Sequence, residues 1–136
     1  MSGRPPGAKG IDQLLAEARS RITRVTPTEA VRRVEGGAVL VDIRPQYQRE
    51  ADGEVPGALV VERNHLEWRF DPESDARLPQ ATGYDVDVVV LCQEGYTSSL
   101  AADALRTLGL ATASDVVGGH RAWVADGLPT TGGAAG

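Results

Sequence analysis

The sequence of 136 residues contains one cysteine, Cys92. A single cysteine excludes an intramolecular disulfide, a CxxC redox pair and a zinc site built from several thiolates. Aromatic residues make up only 4% of the chain, so the core must be built mainly from Val, Leu, Ile and Ala. The chain also has no basic block and a formal net charge of -5, so we expect neither nucleic acid nor a membrane surface as a partner.

Long hydrophobic runs are absent as well. The first ten residues, MSGRPPGAKG, lack the apolar centre of a signal peptide, and no run approaches the length of a membrane span. We therefore expect a cytoplasmic protein. Its length and its hydrophobic content of 41% suit one domain with one core.

The apolar pattern predicts alternating helices and strands between two tails. Residues 1–10 and 131–136 are predicted to be disordered, residues 11–25 to form an appended N-terminal helix, and residues 26–130 to form the domain. A capping box predicts a helix start at Thr26. The predicted strands are 38–41, 58–61, 86–91 and 115–117, and the other predicted helices are 64–69, 98–108 and 120–126. Residues after Asp42 are interpreted as a polar loop.

This alternation implies right-handed crossovers and a parallel sheet covered by helices on both faces. The near-continuous apolar run at 86–91 is typical of a central parallel strand. Reactive groups in such sheets collect beyond the carboxyl ends of the strands, and both Asp42 and Cys92 fall at such ends.

Cys92 begins a short loop that leads from the most apolar strand into a helix. Gly95 permits a positive φ there, and a tight loop before a helix directs successive backbone N–H groups inward, where they hold an anion. A thiolate or persulfide on Cys92 would be stabilised in this cradle. A buried cysteine that merely ends a strand is the other interpretation, and the pattern alone leaves both open.

Four motifs in one order resemble the rhodanese-like sulfurtransferase domain, and together they are specific. They cover roughly residues 26 to 130, and Glu54 stands where the second motif usually has histidine. The motifs are Val41-Asp42-Ile43-Arg44, Glu54-Val55-Pro56-Gly57-Ala58, Cys92-Gln93-Glu94-Gly95-Tyr96-Thr97-Ser98, and Gly118-Gly119 with Trp123 and Gly127-Leu128-Pro129. The resemblance implies a single α/β domain with a doubly wound parallel β-sheet flanked by helices.

The resemblance also implies a two-step covalent sulfur transfer. Cys92 would take a sulfane sulfur from a small donor such as thiosulfate or a persulfide, and a thiol, cyanide or an acceptor protein would remove it. The loop residues Gln93, Glu94, Gly95, Tyr96, Thr97 and Ser98 would form the anion cradle. No metal or organic cofactor is implied. Glu94 would repel a dianion such as thiosulfate.

Charged residues outside the loop suggest supporting roles. We expect Asp42 to tie the Cys92 loop to the neighbouring strand and Arg44 to pair with a carboxylate such as Asp42. Arg49 is the favoured cation for a donor anion, with Arg63 and Arg69 as competitors. His65 and His120 receive no role, because a thiolate held by N–H groups needs no neighbouring base. Trp68 and Trp123 are expected to be core anchors.

Two other functions compete with the sulfurtransferase. A cysteine phosphatase uses a similar cradle, but it requires Arg six residues after the cysteine, where this chain has Ser98. A non-catalytic sulfur carrier or thiol-sensing interaction domain stays open, because the chain has no resolving cysteine and its loop is acidic.

Overall fold

The structure is a computed structural model that describes residues 3–132. Within this range five strands alternate with six α-helices and a short 3-10 turn at Arg63–His65. The helices are Ile11–Arg21 (α1), Pro27–Glu35 (α2), Gln46–Asp52 (α3), Leu66–Phe70 (α4), Thr97–Thr107 (α5) and Gly119–Ala125 (α6). The strands are Thr23–Val25 (β1), Val39–Asp42 (β2), Leu59–Val60 (β3), Val88–Leu91 (β4) and Ser114–Val116 (β5).

The five strands form one sheet in the order β1-β5-β4-β2-β3, and every pairing is parallel. β4 lies in the centre, as its apolar run predicts, and all four of its side chains are buried. They alternate between two core clusters: Val88 and Val90 pack on one face of the sheet, and Val89 and Leu91 on the other. The predicted α/β fold, with a parallel sheet covered on both faces, is confirmed.

The start of α2 has the predicted capping box. The Glu29 backbone N–H donates to the Thr26 hydroxyl at 3.2 Å, and the Thr26 N–H donates to the Glu29 carboxylate at 2.9 Å. Two of the free N–H groups at this helix end are therefore satisfied by local sequence alone.

Two elements were not predicted. Residues 11–25 were predicted to form one appended helix, but the helix ends at Arg21. The chain then forms β1, a three-residue edge strand in which only Val25 is buried. The segment interpreted as a polar loop after Asp42 contains α3, which has no buried residue. Neither element carries an apolar periodicity, because neither buries a whole face.

The two predicted tails lie partly outside the described residues. Residues 3–10 form neither helix nor strand, and residues 1–2 and 133–136 are not described. Thr131, the first residue of the predicted C-terminal tail, exchanges backbone hydrogen bonds with Glu54 at 2.7 and 2.8 Å. No helix among residues 3–132 is long and apolar enough to cross a bilayer.

Of the two tryptophans expected to be core anchors, only Trp123 has that position. Its side chain is buried and its indole N–H donates to the Pro129 carbonyl at 2.9 Å. Trp68 is 62% exposed, so the prediction for it is wrong. The short helix α4 instead buries its first and last residues, Leu66 and Phe70.

Candidate active site

Cys92 lies directly beyond the carboxyl end of β4 and is only 4% exposed. Its sulfur accepts two backbone hydrogen bonds, from the Gly95 N–H at 3.2 Å and from the Ser98 N–H at 3.4 Å. Gly95 belongs to the loop before α5, and Ser98 belongs to the first turn of that helix. An inert buried thiol needs no such donors, whereas a sulfur anion is stabilised by them.

Gly95 is required by the path of this loop. Its φ is +86°, a region that other residues rarely adopt. A Cβ on Gly95 would also lie 2.7 Å from the backbone nitrogen of Gly118, so the two loops touch through their main chains. Both the backbone conformation and the lack of room for a side chain therefore require glycine at position 95.

The N-terminus of α6 holds the other side of the Cys92 loop. The His120 N–H donates to the Cys92 carbonyl at 2.8 Å, and the Arg121 N–H donates to the Gln93 carbonyl at 3.1 Å. A Cβ on Gly119 would lie 2.5 Å from the Cys92 carbonyl oxygen, which explains why glycine stands at this contact. The Gly118-Gly119 motif thus permits α6 to approach the loop closely.

Two arginines that sequence reasoning missed bind the loop carbonyl of Gly95. The Arg19 guanidinium donates to this oxygen at 2.8 Å, and the Arg24 guanidinium donates to it at 2.9 Å. Arg19 also donates to the Ser99 hydroxyl at 3.0 Å. These arginines lie more than 70 positions before the loop in sequence, so no local pattern indicates the contact.

Asp115 is a second missed residue. It is fully buried on β5, pairs with Arg24, and accepts hydrogen bonds from the Ser98 and Ser99 hydroxyls at 2.8 Å each. It therefore joins β1 and β5 to the first turn of α5. A carboxylate at the start of the predicted strand 115–117 was the available signal, because a charge that is buried in a sheet needs a partner.

Asp42 and Arg44 support the loop in a different way from the one expected. The Asp42 carboxylate pairs with Arg44, as predicted, and both side chains are almost fully buried. Arg44 then donates to the Gln93 side-chain oxygen at 3.1 Å and to the Gly53 carbonyl at 2.8 Å. Asp42 thus reaches the Cys92 loop through Arg44 rather than directly.

Arg49, the cation favoured for a donor anion, has other partners. Its guanidinium lies 3.2 Å from the Glu54 carboxylate and 3.5 Å from that of Glu62, so its charge is compensated. Of the two competitors, Arg63 pairs with Glu67, and Arg69 donates to a backbone carbonyl. None of these three arginines has a hydrogen bond to the Cys92 loop, whereas Arg19 and Arg24 do.

The remaining cradle residues face solvent. Glu94 pairs with Arg121 at 3.1 Å, and Tyr96 and Thr97 are also exposed. Tyr96 is 61% exposed, and the Arg19 guanidinium lies 5.8 Å from the centre of its ring. The Gln93 amide donates to Asp52 at 2.6 Å. The loop therefore offers main-chain N–H groups to the sulfur and its side chains to the surroundings.

His120 is buried behind this loop. Its Nε2 atom has no hydrogen-bond partner among the described residues. Burial, together with the nearby charge of Arg44, lowers the pKa of His120 below its ordinary value, although Asp42 and Asp52 act in the opposite direction. The neutral imidazole is therefore favoured. His65 lies on the surface.

Residues 3–132 contain no group of three or more His, Cys, Asp or Glu side chains that could hold a metal ion.

The fold is thus a single α/β domain with a parallel sheet, and a buried cysteine follows its central strand and accepts two backbone hydrogen bonds at the start of a helix. Residues 26–126 match the rhodanese-like domain family, so the chain belongs to this family. The match covers most of the chain and includes the first three motifs and the Gly118, Gly119 and Trp123 part of the fourth, while Gly127-Leu128-Pro129 follows directly after it.

Relatives with established names include sulfurtransferases. The chain is 32% identical over 104 residues to thiosulfate sulfurtransferase GlpE of Pseudomonas fluorescens, covering 76% of this chain and 86% of that protein. It is 30% identical over 122 residues to adenylyltransferase and sulfurtransferase MOCS3 of Arabidopsis thaliana, covering 85% of this chain. The chain spans only about a quarter of the length of the Arabidopsis protein, 26%.

Among solved structures, the chain is similar to a protein of unknown function from Rhodopseudomonas palustris, described as a possible tyrosine phosphatase. The TM-score is 0.82 at 34% identity, over 95% of this chain and 100% of that one. The polysulfide-sulfur transferase of Wolinella succinogenes shares the fold, with a TM-score of 0.70 at 21% identity over 90% and 87% of the two chains.

Proposed function

We propose that this protein is a sulfurtransferase that moves a sulfane sulfur from a small donor to a thiol or cyanide through a persulfide on Cys92. One observation carries the proposal: the Gly95 and Ser98 backbone N–H groups both donate to the Cys92 sulfur. Two relatives with sulfurtransferase names support it.

The reaction has two displacement steps. The Cys92 thiolate attacks the outer sulfur of the donor, a new S–S bond forms, and the bond from that sulfur to the rest of the donor breaks. The leaving group, sulfite in the case of thiosulfate, takes the bonding electron pair. An acceptor thiolate or cyanide then attacks the outer sulfur and releases the Cys92 thiolate. Preorganised N–H groups stabilise the sulfur anion in both steps.

Asp42 and Arg44 act as loop supports in this scheme. Their buried ion pair holds the Gln93 side chain through Arg44. The α6 N–H groups hold the carbonyls of Cys92 and Gln93 on the other side of the same turn. With the loop anchored in this way, the Gly95 and Ser98 N–H groups stay directed at the Cys92 sulfur. We propose a cytoplasmic location and a thiol acceptor that is either a small molecule or a protein.

A non-catalytic sulfur carrier is the second candidate, and the loop favours it in one respect. Glu94 is half exposed beside the cradle, and its charge opposes a dianionic donor. A phosphatase is not proposed, although a similar structure is described as a possible tyrosine phosphatase. Residues 93–98 contain no Arg to bind phosphate in a bidentate fork.

Incubation with sulfur donors tests the proposal directly. With thiosulfate, mercaptopyruvate or glutathione persulfide, we expect the intact mass to increase by one sulfur atom with at least one donor, and cyanide to remove it. Because Cys92 is the only cysteine in the sequence, it is the only thiol to which the sulfur can be added. Persulfide without steady turnover would favour the carrier, and a thiol that accepts no sulfur from any donor would contradict both functions.

Glu94 is expected to weaken the use of thiosulfate. Glu94→Gln removes a negative charge and leaves Arg121 without its partner, so KM for thiosulfate should fall about threefold at low salt. The fall should be smaller for mercaptopyruvate, which carries one negative charge, and should shrink as salt is added. Steady-state kinetics at two salt concentrations measures both effects.

Glu50→Gln is the matched control, because Glu50 is an exposed carboxylate on α3 outside the loop. An equal change in KM in both variants, or a change that persists at high salt, would contradict a local effect of Glu94.

A further inference from the structure

Gly95 is anchored on both sides of its backbone. Its N–H donates to the Cys92 sulfur at 3.2 Å, while its carbonyl accepts from Arg19 and Arg24 at 2.8 and 2.9 Å. Glycine has more backbone freedom than any other residue, and Gly95 has a φ of +86°. The direction of its N–H therefore depends on the groups that contact its backbone. The two guanidinium groups supply that restraint.

The two arginines come from α1 and β1, which lie outside the part of the chain that matches the family, residues 26–126. α1 packs along α5, and Arg21 adds two hydrogen bonds to the Asp103 carboxylate at the surface, at 2.9 and 2.7 Å. This docking brings Arg19 to the first turn of α5, where it contacts Ser99 as well as Gly95.

Arg19 differs from the other arginines beside the loop, because it has no ion-pair partner among the described residues. Other charged groups beside the loop form ion pairs, and Asp52, which is exposed, accepts from the Gln93 amide. Among residues 3–132, Arg19 has no carboxylate within salt-bridge distance. The ion pairs beside the loop are Asp42 with Arg44, Asp115 with Arg24, and Glu94 with Arg121.

We propose that Arg19 is a positioning residue for the Cys92 loop. It holds the Gly95 carbonyl outward, which keeps the Gly95 N–H directed at the sulfur, and it adds a positive charge to the loop that carries the Cys92 anion. This role presupposes the sulfur-transfer function proposed above. Arg24 shares the carbonyl, but its removal would also leave the buried Asp115 without its ion-pair partner.

Alkylation of Cys92 by iodoacetamide tests this role without any sulfur donor, because the thiolate is the reacting form. In Arg19→Gln we expect the pH profile of the alkylation rate to move upward by about one unit, with a rate at pH 7 about tenfold lower than in wild type. Arg19→Lys keeps the charge and should stay within about threefold of wild type, since at most one donor contact is lost.

Arg21→Gln is the matched control. It removes the same charge from the same helix and breaks only a partly exposed ion pair, and Arg21 has no hydrogen bond to the loop. Its pH profile should equal that of wild type. An Arg19→Gln profile that equals that of Arg21→Gln would overturn the proposal. A faster rate at every pH would also overturn it, because a merely loosened loop would expose the sulfur.

The two hypotheses fail in different ways. If wild type accepts no sulfur from any donor while the Arg19→Gln profile still moves, the sulfurtransferase is contradicted and the positioning of the loop stands. If wild type forms the persulfide and the profile does not move, Arg19 is only a structural contact. If Arg19→Gln does not fold, the comparison of Arg19→Lys with wild type decides: a profile shifted by a full unit despite the retained charge contradicts the charge effect, and an unchanged profile supports it.

Discussion

Cys92→Ser is expected to abolish sulfur transfer to cyanide or dithiothreitol, with a rate at least about a thousandfold below wild type. The serine hydroxyl occupies nearly the same space and can accept hydrogen bonds from the Gly95 and Ser98 N–H groups. It is not ionised at neutral pH and cannot form a persulfide. The folded state should change little, by about 1 kcal/mol or less. Turnover with the best donor of the panel measures the loss.

Two further measurements make this result specific. The thermal unfolding of Cys92→Ser should match that of wild type, which separates lost chemistry from lost structure. Cys92→Ala should be as inactive as Cys92→Ser, because neither side chain provides a thiolate. Transfer that persists in either variant would place the reaction outside Cys92, and the proposed mechanism would be wrong.

Arg44→Met is expected to destabilise the fold by about 3–5 kcal/mol. The guanidinium is buried and donates to the Asp42 carboxylate, to Gln93 and to the Gly53 carbonyl. Methionine fills part of the space but leaves the Asp42 charge buried without a counterion. The midpoint and slope of urea unfolding give the change in the free energy of unfolding.

The double variant Asp42→Asn with Arg44→Met removes the buried charge as well as its partner. We expect it to be more stable than Arg44→Met alone, because an unpaired buried charge costs more than the loss of the whole pair. Arg63→Met is the matched control, since Arg63 forms a partly exposed ion pair with Glu67 and should lose only about 1 kcal/mol or less. Equal losses in Arg44→Met and Arg63→Met would contradict the importance of burial.

Regularly patterned elements were predictable from the sequence. The apolar run of β4 indicates a buried strand, and the spacing of apolar residues in α5 indicates a helix. The capping box of α2 is complete within four residues. The short or exposed elements β1 and α3 were missed, because a few residues with little burial produce no period.

The candidate site divides in the same way. Cys92, Gly95 and the loop before α5 are contiguous, and their order along the chain is enough to predict a cradle for an anion. The pairing of Arg44 with Asp42 was also predictable, because the two residues are two positions apart at a strand end. The role of Arg49 could not be predicted in this way. Its partners Glu54 and Glu62 follow α3 and β3, and their approach to Arg49 depends on how these two elements pack.

By itself, the sequence determined the kind of fold, the cysteine and the loop that follows it, since each depends on residues that are neighbours in the chain. Tertiary structure alone decided what surrounds the loop: Arg19 and Arg24 on the Gly95 carbonyl, Asp115 beneath the serines, and α6 against the Cys92 carbonyl. These contacts join residues that lie 16 to 76 positions apart in the chain. Such residues come together only when the strands pair in the parallel sheet and the helices pack on it. A local sequence pattern contains no information about these long-range contacts.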